Sequence, residues 1–389
     1  MIKDPSEDQN PASRLAEQTG FSVRTILISL LWTIALATAL GFAVKYGIDL
    51  SRLVGTQVQV PRHQGPVRIG IFSWAGFYPL VTAQELGLFK KHGIEVELLH
   101  AKTIGELNDW IRTGRTQVSA GVLADFIILR RLGTPIQMMT ATDFSTADVI
   151  LSRKDIKTPR DLLGRKVGIA ELNSFAEYFV VRSLELAGVN PRDVNFYTVP
   201  AAEIPDAILK GEIDAGHTWN PALSDGLQRG LKPLISSAQN PRLVLDGLVF
   251  RSEVAHDYEV PLAVTRAFFE ALALQKTDPV TFAAIPAKYF GISREQAQKF
   301  IDEDVRFADL DENIRLYAPH GVLRKEALII SQFFAERGMG SNDSDMANLV
   351  DDTVIRRIED ERAIGQTTPI PPPPSKSSVS GWARERTEI

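Results

Sequence analysis

The feature that most constrains the fold is a regular alternation of strand-like and helix-like segments that begins at Val67. Short apolar runs predict strands, and amphipathic stretches predict helices. The strands are expected at residues 67–72, 94–99, 117–120 and 136–141, and the helices at residues 78–89, 106–112 and 124–132. Such a βα repeat predicts a largely parallel sheet that carries helices on both faces, which is an α/β fold.

A second α/β series follows, and the chain then becomes mostly helical. Strands are expected at residues 147–152, 166–170, 195–199, 213–217 and 245–250, and helices at residues 175–187, 203–209, 221–228, 260–274, 279–289, 294–302 and 322–337. Two α/β sets predict two lobes joined by two chain crossings, with lobe I at residues 67–145 and 245–340 and lobe II at residues 146–244. The cleft between two such lobes is the expected ligand site.

Both ends of the chain are expected to lie outside the two lobes. Residues 26–44 carry no charge, and a helix of that length reaches about 28 Å, close to the roughly 30 Å hydrocarbon core of a bilayer. We therefore predict a transmembrane signal anchor at residues 25–45, after a polar segment at residues 1–24 and before a linker at residues 46–66. A signal peptide cleaved after Ala39 or Ala43 is the alternative, and a buried core helix is a third. Residues 341–389 are expected to form a charged helix and a proline-rich tail.

Composition excludes several classes of function. The net charge of −5 does not provide the excess positive charge that nucleic-acid-binding proteins use to contact phosphates. The absence of cysteine removes thiol nucleophiles, disulfides and a lipid anchor at an N-terminal cysteine. The six histidines lack metal-binding spacing, and neither a nucleophile-elbow nor a phosphate-loop motif occurs. His217 ends a predicted strand, and a core or rim histidine with one hydrogen bond is favoured there over a catalytic base. The sequence therefore predicts no enzymatic activity, no metal and no cofactor.

Polar and aromatic residues cluster where predicted strands end and helices begin. In the stretch "IFSWAGFYPL", the start of a helix offers free N–H groups, Gly76 lets a backbone approach closely, and Trp74 supplies a wall and one donor. An equally weighted alternative is that Trp74 packs between the lobes. Comparable turns elsewhere contain Ser119, Gly121, Asp143, Ser145, Thr146, Glu171, Asn173, Ser174, Glu177, His217, Trp219 and Asn220. Each turn alone is typical of a capped helix, but together they predict one cleft.

Several ordered phrases also resemble substrate-binding proteins of the nitrate/sulfonate/bicarbonate ABC-transporter group, which includes binders of thiamine-pyrimidine precursors. The first is "FSWAGFYPLVTAQELGLFKKHGIEVELL" at residues 72–99, and two more are "DLLGRKVGIA" at residues 161–170 and "GEIDAGHTWNPALSDGL" at residues 211–227. The resemblance covers about residues 67 to 340. It implies a type II periplasmic-binding-protein fold, with two lobes that close on a ligand about a hinge.

The resemblance also implies a function and a set of pocket positions. The function is that of an extracytoplasmic solute-binding component that delivers a small organic molecule to an ABC permease, held at the bacterial inner membrane with its binding domain on the periplasmic side. The implied pocket consists of Trp74, Tyr78, Ser119, Gly121, Asp143, Ser145, Thr146, Ser174, Glu177, Trp219 and Asn220.

Two questions stay open at this point. A membrane-anchored ligand sensor or adaptor that signals to a partner membrane protein is the alternative to a transport function. The ligand is the second question, because none of the implied pocket positions is an arginine, whereas Asp143, Glu171 and Glu177 lie in the turns around the predicted cleft. That balance favours a neutral, zwitterionic or heterocyclic ligand over a sulfonate or nitrate.

Overall fold

The structure is a computed structural model that describes residues 28, 38, 63–340 and 348–365. Residues 61–389 form one compact unit. Residues 1–60 form another, in which the described residues Ile28 and Thr38 are helical. The rest of the predicted anchor, most of the predicted linker and the proline-rich tail lie outside the described residues. No helix formed by the described residues is both long and apolar enough to cross a bilayer.

Lobe I begins with four strands in βα order. Its elements are β1 (Val67–Ile71), α1 (Tyr78–Glu85), α2 (Leu88–Lys91), β2 (Val96–His100), α3 (Ile104–Thr113), β3 (Val118–Val122), α4 (Leu123–Arg131) and β4 (Ile136–Ser145). The single helix predicted at residues 78–89 is in fact two helices. Gly87 separates them because its φ of 70° lies in the left-handed region, which ends α1.

Lobe II repeats this alternation. Its elements are β5 (Val149–Ser152), β6 (Lys166–Ile169), α5 (Phe175–Leu186), β7 (Asn195–Thr198), α6 (Ile204–Leu209), β8 (Ala215–Thr218), α7 (Ala222–Gln228) and β9 (Lys232–Ser236). Sequence patterning did not predict β9. This edge strand contains Pro233, and Ile235 is its one buried residue, so it lacks the apolar run that marks a central strand.

The chain then returns to lobe I, mostly as helices. The elements are β10 (Leu245–Arg251), α8 (Ser252–Ala255), α9 (Glu259–Thr277), α10 (Pro279–Phe290), α11 (Arg294–Glu303), β11 (Val305–Phe307), α12 (Leu310–Tyr317), α13 (Val322–Ala335) and α14 (Thr353–Ala363). We expected residues 341–389 to stand apart from the lobes. Instead Met138 on β4 forms a parallel bridge with Val350, and α14 buries Val354 and Ile355.

The two sheets share one topology. Lobe I has the order β11-β4-β10-β3-β1-β2, and lobe II has the order β7-β6-β8-β5-β9. Strands β1, β2 and β3 of lobe I are parallel, and so are β6, β7 and β8 of lobe II, as predicted. The crossing strands β5 and β10 are antiparallel to both of their neighbours, which the βα pattern did not predict. Each of these strands enters its sheet from the other lobe, so it runs against the local βα direction.

Apolar packing joins the lobes along one side. A single buried cluster includes Phe126 on α4, Phe179 on α5 and Phe334 on α13. The ring of Tyr178 on α5 stands edge-on to Phe333 on α13, with 5.1 Å between the ring centroids. Because α13 packs on α4 of lobe I, these contacts bring the start of α5 close to the carboxyl ends of the lobe I strands.

Candidate functional site

A narrow cleft lies between the lobes, where the chain crosses from one to the other. The empty space between its lining atoms, including the part open to solvent, is about 240 Å³. The lining side chains are four aromatic, three aliphatic and three polar: Phe72, Trp74, Ile104, Val122, Ser145, Asp148, Phe175, Trp219, Val244 and Asp246. The site therefore combines a mostly apolar wall with two carboxyl groups.

The turn after β1 positions Trp74 through a buried carboxylate. The indole Nε1 of Trp74 donates to Asp143 Oδ1 at 3.0 Å, and Thr142 Oγ1 donates to Asp143 Oδ2 at 2.9 Å. A Cβ added to Gly76 would lie 1.8 Å from Asp143 Oδ2. Gly76 thus makes room for a carboxylate of the protein itself.

Asp143 and Asp246 form a carboxyl pair across two strands. They are register partners in the β4–β10 ladder, and both are buried. Burial raises the pKa of each, and the charge of Asp143 raises the pKa of Asp246 further. Asp246 is the member of this pair that lines the cleft.

A second carboxylate of the cleft is paired with a buried histidine. Asp148 Oδ1 lies 2.7 Å from His217 Nε2, and the His217 side chain is fully buried. The rings of Phe179 and Trp219 pack on His217, with centroids 4.8 and 5.4 Å away. His217 makes one hydrogen bond, as expected for a core or rim histidine. Its role is to hold Asp148 at the cleft wall.

A carboxylate from lobe I occupies the start of the long lobe II helix. Asp125 Oδ1, on α4, accepts from the Phe175 backbone N–H at 2.7 Å, and Asp125 Oδ2 accepts from Asn108 Nδ2 at 3.1 Å. Ser174 Oγ accepts from the Ala176 N–H at 3.1 Å. Burial raises the pKa of Asp125 to about 6. The first free N–H groups of α5 are therefore satisfied by the protein, and they form an interlobe contact.

A further interlobe contact lies at the end of α11. Asn220 Nδ2, in lobe II, donates to Asp304 Oδ1 at 2.7 Å and is 2.9 Å from Oδ2. The Asp304 carbonyl accepts from the Thr146 N–H at 2.8 Å, at the first chain crossing. Burial raises the pKa of Asp304 to about 7. Asn220 is thus a lobe-bridging residue in this structure.

The predicted pocket residues divide into two groups. Trp74, Ser145 and Trp219 line the cleft, and Asp143 lies directly behind it. The other predicted positions make structural contacts: Tyr78 with Phe290, Gly121 with Phe126, Thr146 with Glu303, Ser174 as a helix cap, Glu177 with Arg337, and Asn220 with Asp304. Ser119 is buried on β3, and its Oγ has no partner among the described residues.

Sequence reasoning missed seven of the lining residues. Five are apolar and carry no local signal: Phe72, Ile104, Val122, Phe175 and Val244. Asp148 and Asp246 did carry one, since each is a charged residue next to or within an otherwise apolar strand, in "ADVILS" and "VLDGLVF". A carboxylate placed in a buried strand costs free energy, so it points to a paired or functional group. In the part of the chain that the structure describes, no cluster of histidine and acidic residues is arranged to hold a metal ion.

Comparisons with known proteins agree with this geometry. The family model described as "NMT1/THI5 like" matches residues 74–233. The fold is similar to the periplasmic aliphatic sulphonate binding protein SsuA from Escherichia coli, with a TM-score of 0.61 and 19% identity over 75% of this chain and 93% of that one. It is also similar to the periplasmic nitrate-binding protein NrtA from Synechocystis PCC 6803, with a TM-score of 0.61 and 13% identity over 78% and 89%.

A third similar structure is the ligand binding component of an ABC-type import system from Staphylococcus aureus, with a TM-score of 0.60 and 15% identity over 75% of this chain and 98% of that one. No curated protein matches the sequence. The predicted resemblance to the nitrate/sulfonate-binding group is confirmed, and the chain has the two-lobed α/β periplasmic-binding-protein fold.

Proposed function

We propose that this chain is the extracytoplasmic solute-binding component of an ABC importer and binds a small organic molecule in the interlobe cleft by hinge closure. Like the similar structures, it is a binding protein and not an enzyme. The observation that carries the proposal is the cleft itself, because both lobes contribute to its lining and two chain crossings join them. Such a site is completed only when the lobes meet.

The interlobe contacts support a hinge mechanism. The Asp125–Phe175 and Asn220–Asp304 hydrogen bonds would both break if the lobes parted at the crossings near residues 145–149 and 236–245. A hydrogen bond contributes only about 0.5–1.5 kcal/mol net, or about 1.5–3 kcal/mol when one partner is charged. A ligand that contacts both lobes would therefore shift the population toward the closed state.

Tryptophan variants test the position of the site. Trp74 and Trp219 line the cleft, so a Trp74→Phe/Trp219→Phe variant should lose the fluorescence change that an added solute produces. Trp110 serves as the control, because it is as buried as Trp74 but packs in a separate cluster with Ala101 and Leu107. A thermal-shift screen of sulfonates, nitrate, amines and pyrimidines would supply the solutes. A response carried by Trp110 alone would place the site elsewhere, and no response to any solute would oppose the binding function.

We also propose that residues 26–44 anchor the protein in the bacterial inner membrane, with the binding domain on the periplasmic side and an ABC permease as partner. The support is the length of the uncharged segment. Alkaline carbonate extraction should leave the protein in the membrane fraction, and N-terminal sequencing should find an intact start. A mature protein that begins after Ala39 or Ala43 would contradict the anchor.

A sensor or adaptor function is the second candidate. The C-terminal segment favours it, because the Met138 N–H donates to the Leu349 carbonyl at 2.6 Å and the Asp351 N–H donates to the Met138 carbonyl at 3.0 Å. The tail that follows α14 thus starts from a fixed point on lobe I. Co-purification of the solubilised full chain distinguishes the two functions, since a permease should accompany an import component and a signalling protein should accompany a sensor.

A further inference from the structure

The cleft is unusual in its charge. Of the described side chains that line it, none is Lys or Arg, whereas Asp148 and Asp246 both contribute carboxyl groups. Asp143 adds a third directly behind Asp246. Among the side chains that the structure describes, the one basic group in contact with them is His217, on Asp148. Charges in a buried, low-dielectric site interact strongly, so an anion entering this cleft would face carboxyl groups with no Lys or Arg among the described lining side chains to attract it.

The cleft also offers carboxyl oxygens that lack donors. The Asp246 side chain is 2% exposed, and its Oδ1 has no hydrogen-bond partner among the described residues. Asp148 uses Oδ1 for His217, and its Oδ2 makes no hydrogen bond to the described part of the chain. A buried acceptor without a donor is costly, so a ligand N–H group that donates to Asp246 Oδ1 would stabilise the complex, and a second N–H group can donate to Asp148 Oδ2.

The place where an anion would otherwise be favoured is already filled. The N-terminus of α5 faces the cleft through Phe175, and its N–H groups could hold a sulfonate or nitrate oxygen. Instead the Asp125 carboxylate accepts from the Phe175 N–H, and Ser174 Oγ accepts from the next one. An anionic ligand would have to displace a carboxylate of the protein itself.

Aromatic rings complete the arrangement. Phe72, Trp74, Phe175 and Trp219 all line the same space. Aromatic faces attract organic cations, and a planar guanidinium also stacks on them. Resting on the solute-binding function proposed above, we propose that the ligand is a small organic cation with N–H donors, an alkylguanidinium or primary alkylammonium ion. Its N–H groups meet the oxygens of Asp148 and Asp246, and its carbon atoms pack on the rings.

Charge-matched probes test this inference on the detergent-solubilised full chain. Methylguanidinium and methylurea have the same shape and the same number of heavy atoms, but only the first is charged at pH 7.5. Isothermal titration calorimetry should show saturable binding of methylguanidinium and of ethylammonium, with affinities at least about tenfold above that for methylurea, which is about 1.4 kcal/mol. Ethanesulfonate should not bind.

Two variants connect the charge to named residues. Asp246→Asn keeps the size of the side chain, but it cannot become negatively charged. It should weaken methylguanidinium binding at least about tenfold and leave the weak methylurea binding unchanged. Asp148→Asn provides a second, independent test of the same effect. Asp206→Asn is the matched control, because Asp206 is an exposed aspartate on α6, paired with Arg229 and remote from the cleft lining.

The outcomes separate this inference from the proposed function. Equal binding of methylurea and methylguanidinium, or binding of ethanesulfonate, would overturn the cation assignment while leaving a solute-binding protein. An unchanged affinity in both Asp246→Asn and Asp148→Asn, with normal circular dichroism, would overturn it as well. Failure of every probe to bind would oppose the cation assignment and the binding function together.

Discussion

Gly76→Ala is the substitution whose consequence can be worked out most directly. The new Cβ would lie 1.8 Å from Asp143 Oδ2, 2.3 Å from Cγ and 2.6 Å from Oδ1, so the whole carboxylate is in the way. Asp143 cannot move freely, because it is fully buried and its carboxylate accepts hydrogen bonds from Trp74 and Thr142. Either the turn after β1 or the carboxylate must therefore shift by more than about 1 Å to reach ordinary contact distance.

The expected cost follows from these contacts. Overpacking a buried site costs about 1–3 kcal/mol, and loss of one hydrogen bond to a charged group adds about 1.5–3 kcal/mol. We expect Gly76→Ala to lower the free energy of unfolding by about 3–5 kcal/mol in urea titrations followed by circular dichroism. It should also weaken solute binding, because Trp74 would lose its fixed position.

Two further variants make this prediction refutable. Gly105→Ala is the matched control, since its Cβ would meet no atom closer than 3.8 Å and helix α3 tolerates alanine well. In an Asp143→Ala background the obstacle is gone, so Gly76→Ala should cost clearly less than it does in the wild type. A cost within about 0.5 kcal/mol of zero, or the same cost in both backgrounds, would refute the reasoning.

Two other predictions concern the contact between Asn220 and Asp304. Because burial raises the pKa of Asp304 to about 7, the folded state binds its proton more tightly than the unfolded state, so this group stabilises the fold less as pH rises from about 4 to about 7. Other groups titrate in the same range, so the quantity to measure is the unfolding free energy of the wild type minus that of Asp304→Asn. This difference should decrease between about pH 4 and about pH 7. A difference that does not depend on pH would exclude the effect. Asn220→Ala leaves the Asp304 carboxylate without its amide donor and should cost about 1–3 kcal/mol. It should also increase the radius of gyration in small-angle scattering, and unchanged scattering with unchanged stability would show that this contact does not hold the lobes together.

Local patterning was sufficient for most of the architecture. Periodicity of two or of 3.6 residues is a property of consecutive side chains, so β1 to β8 and most helices could be placed without tertiary information. It was insufficient for β11, since three residues are too few to show a period. It also did not show the antiparallel course of β5 and β10, because the direction of a strand relative to its neighbours depends on where the chain comes from.

The candidate site was predicted only in part, for a related reason. The turns that follow the strands were recognised, and Trp74, Ser145 and Trp219 do line the cleft. Glu177 and Asn220 have the same local appearance, but they bind Arg337 and Asp304. A polar residue at the start of a helix can cap it, bridge two lobes or meet a ligand, and the sequence around it is alike in all three cases.

The sequence by itself determined that this protein is an α/β chain of two lobes with a cleft between them, because repeated βα patterning leaves few other ways to bury its apolar faces. It did not determine the charge of that cleft. Asp143 meets Asp246, and Asp125 meets the start of α5, between segments far apart in the chain. Only the tertiary structure determines these contacts, since the partners and the pKa of a buried carboxyl group depend on its neighbours in space.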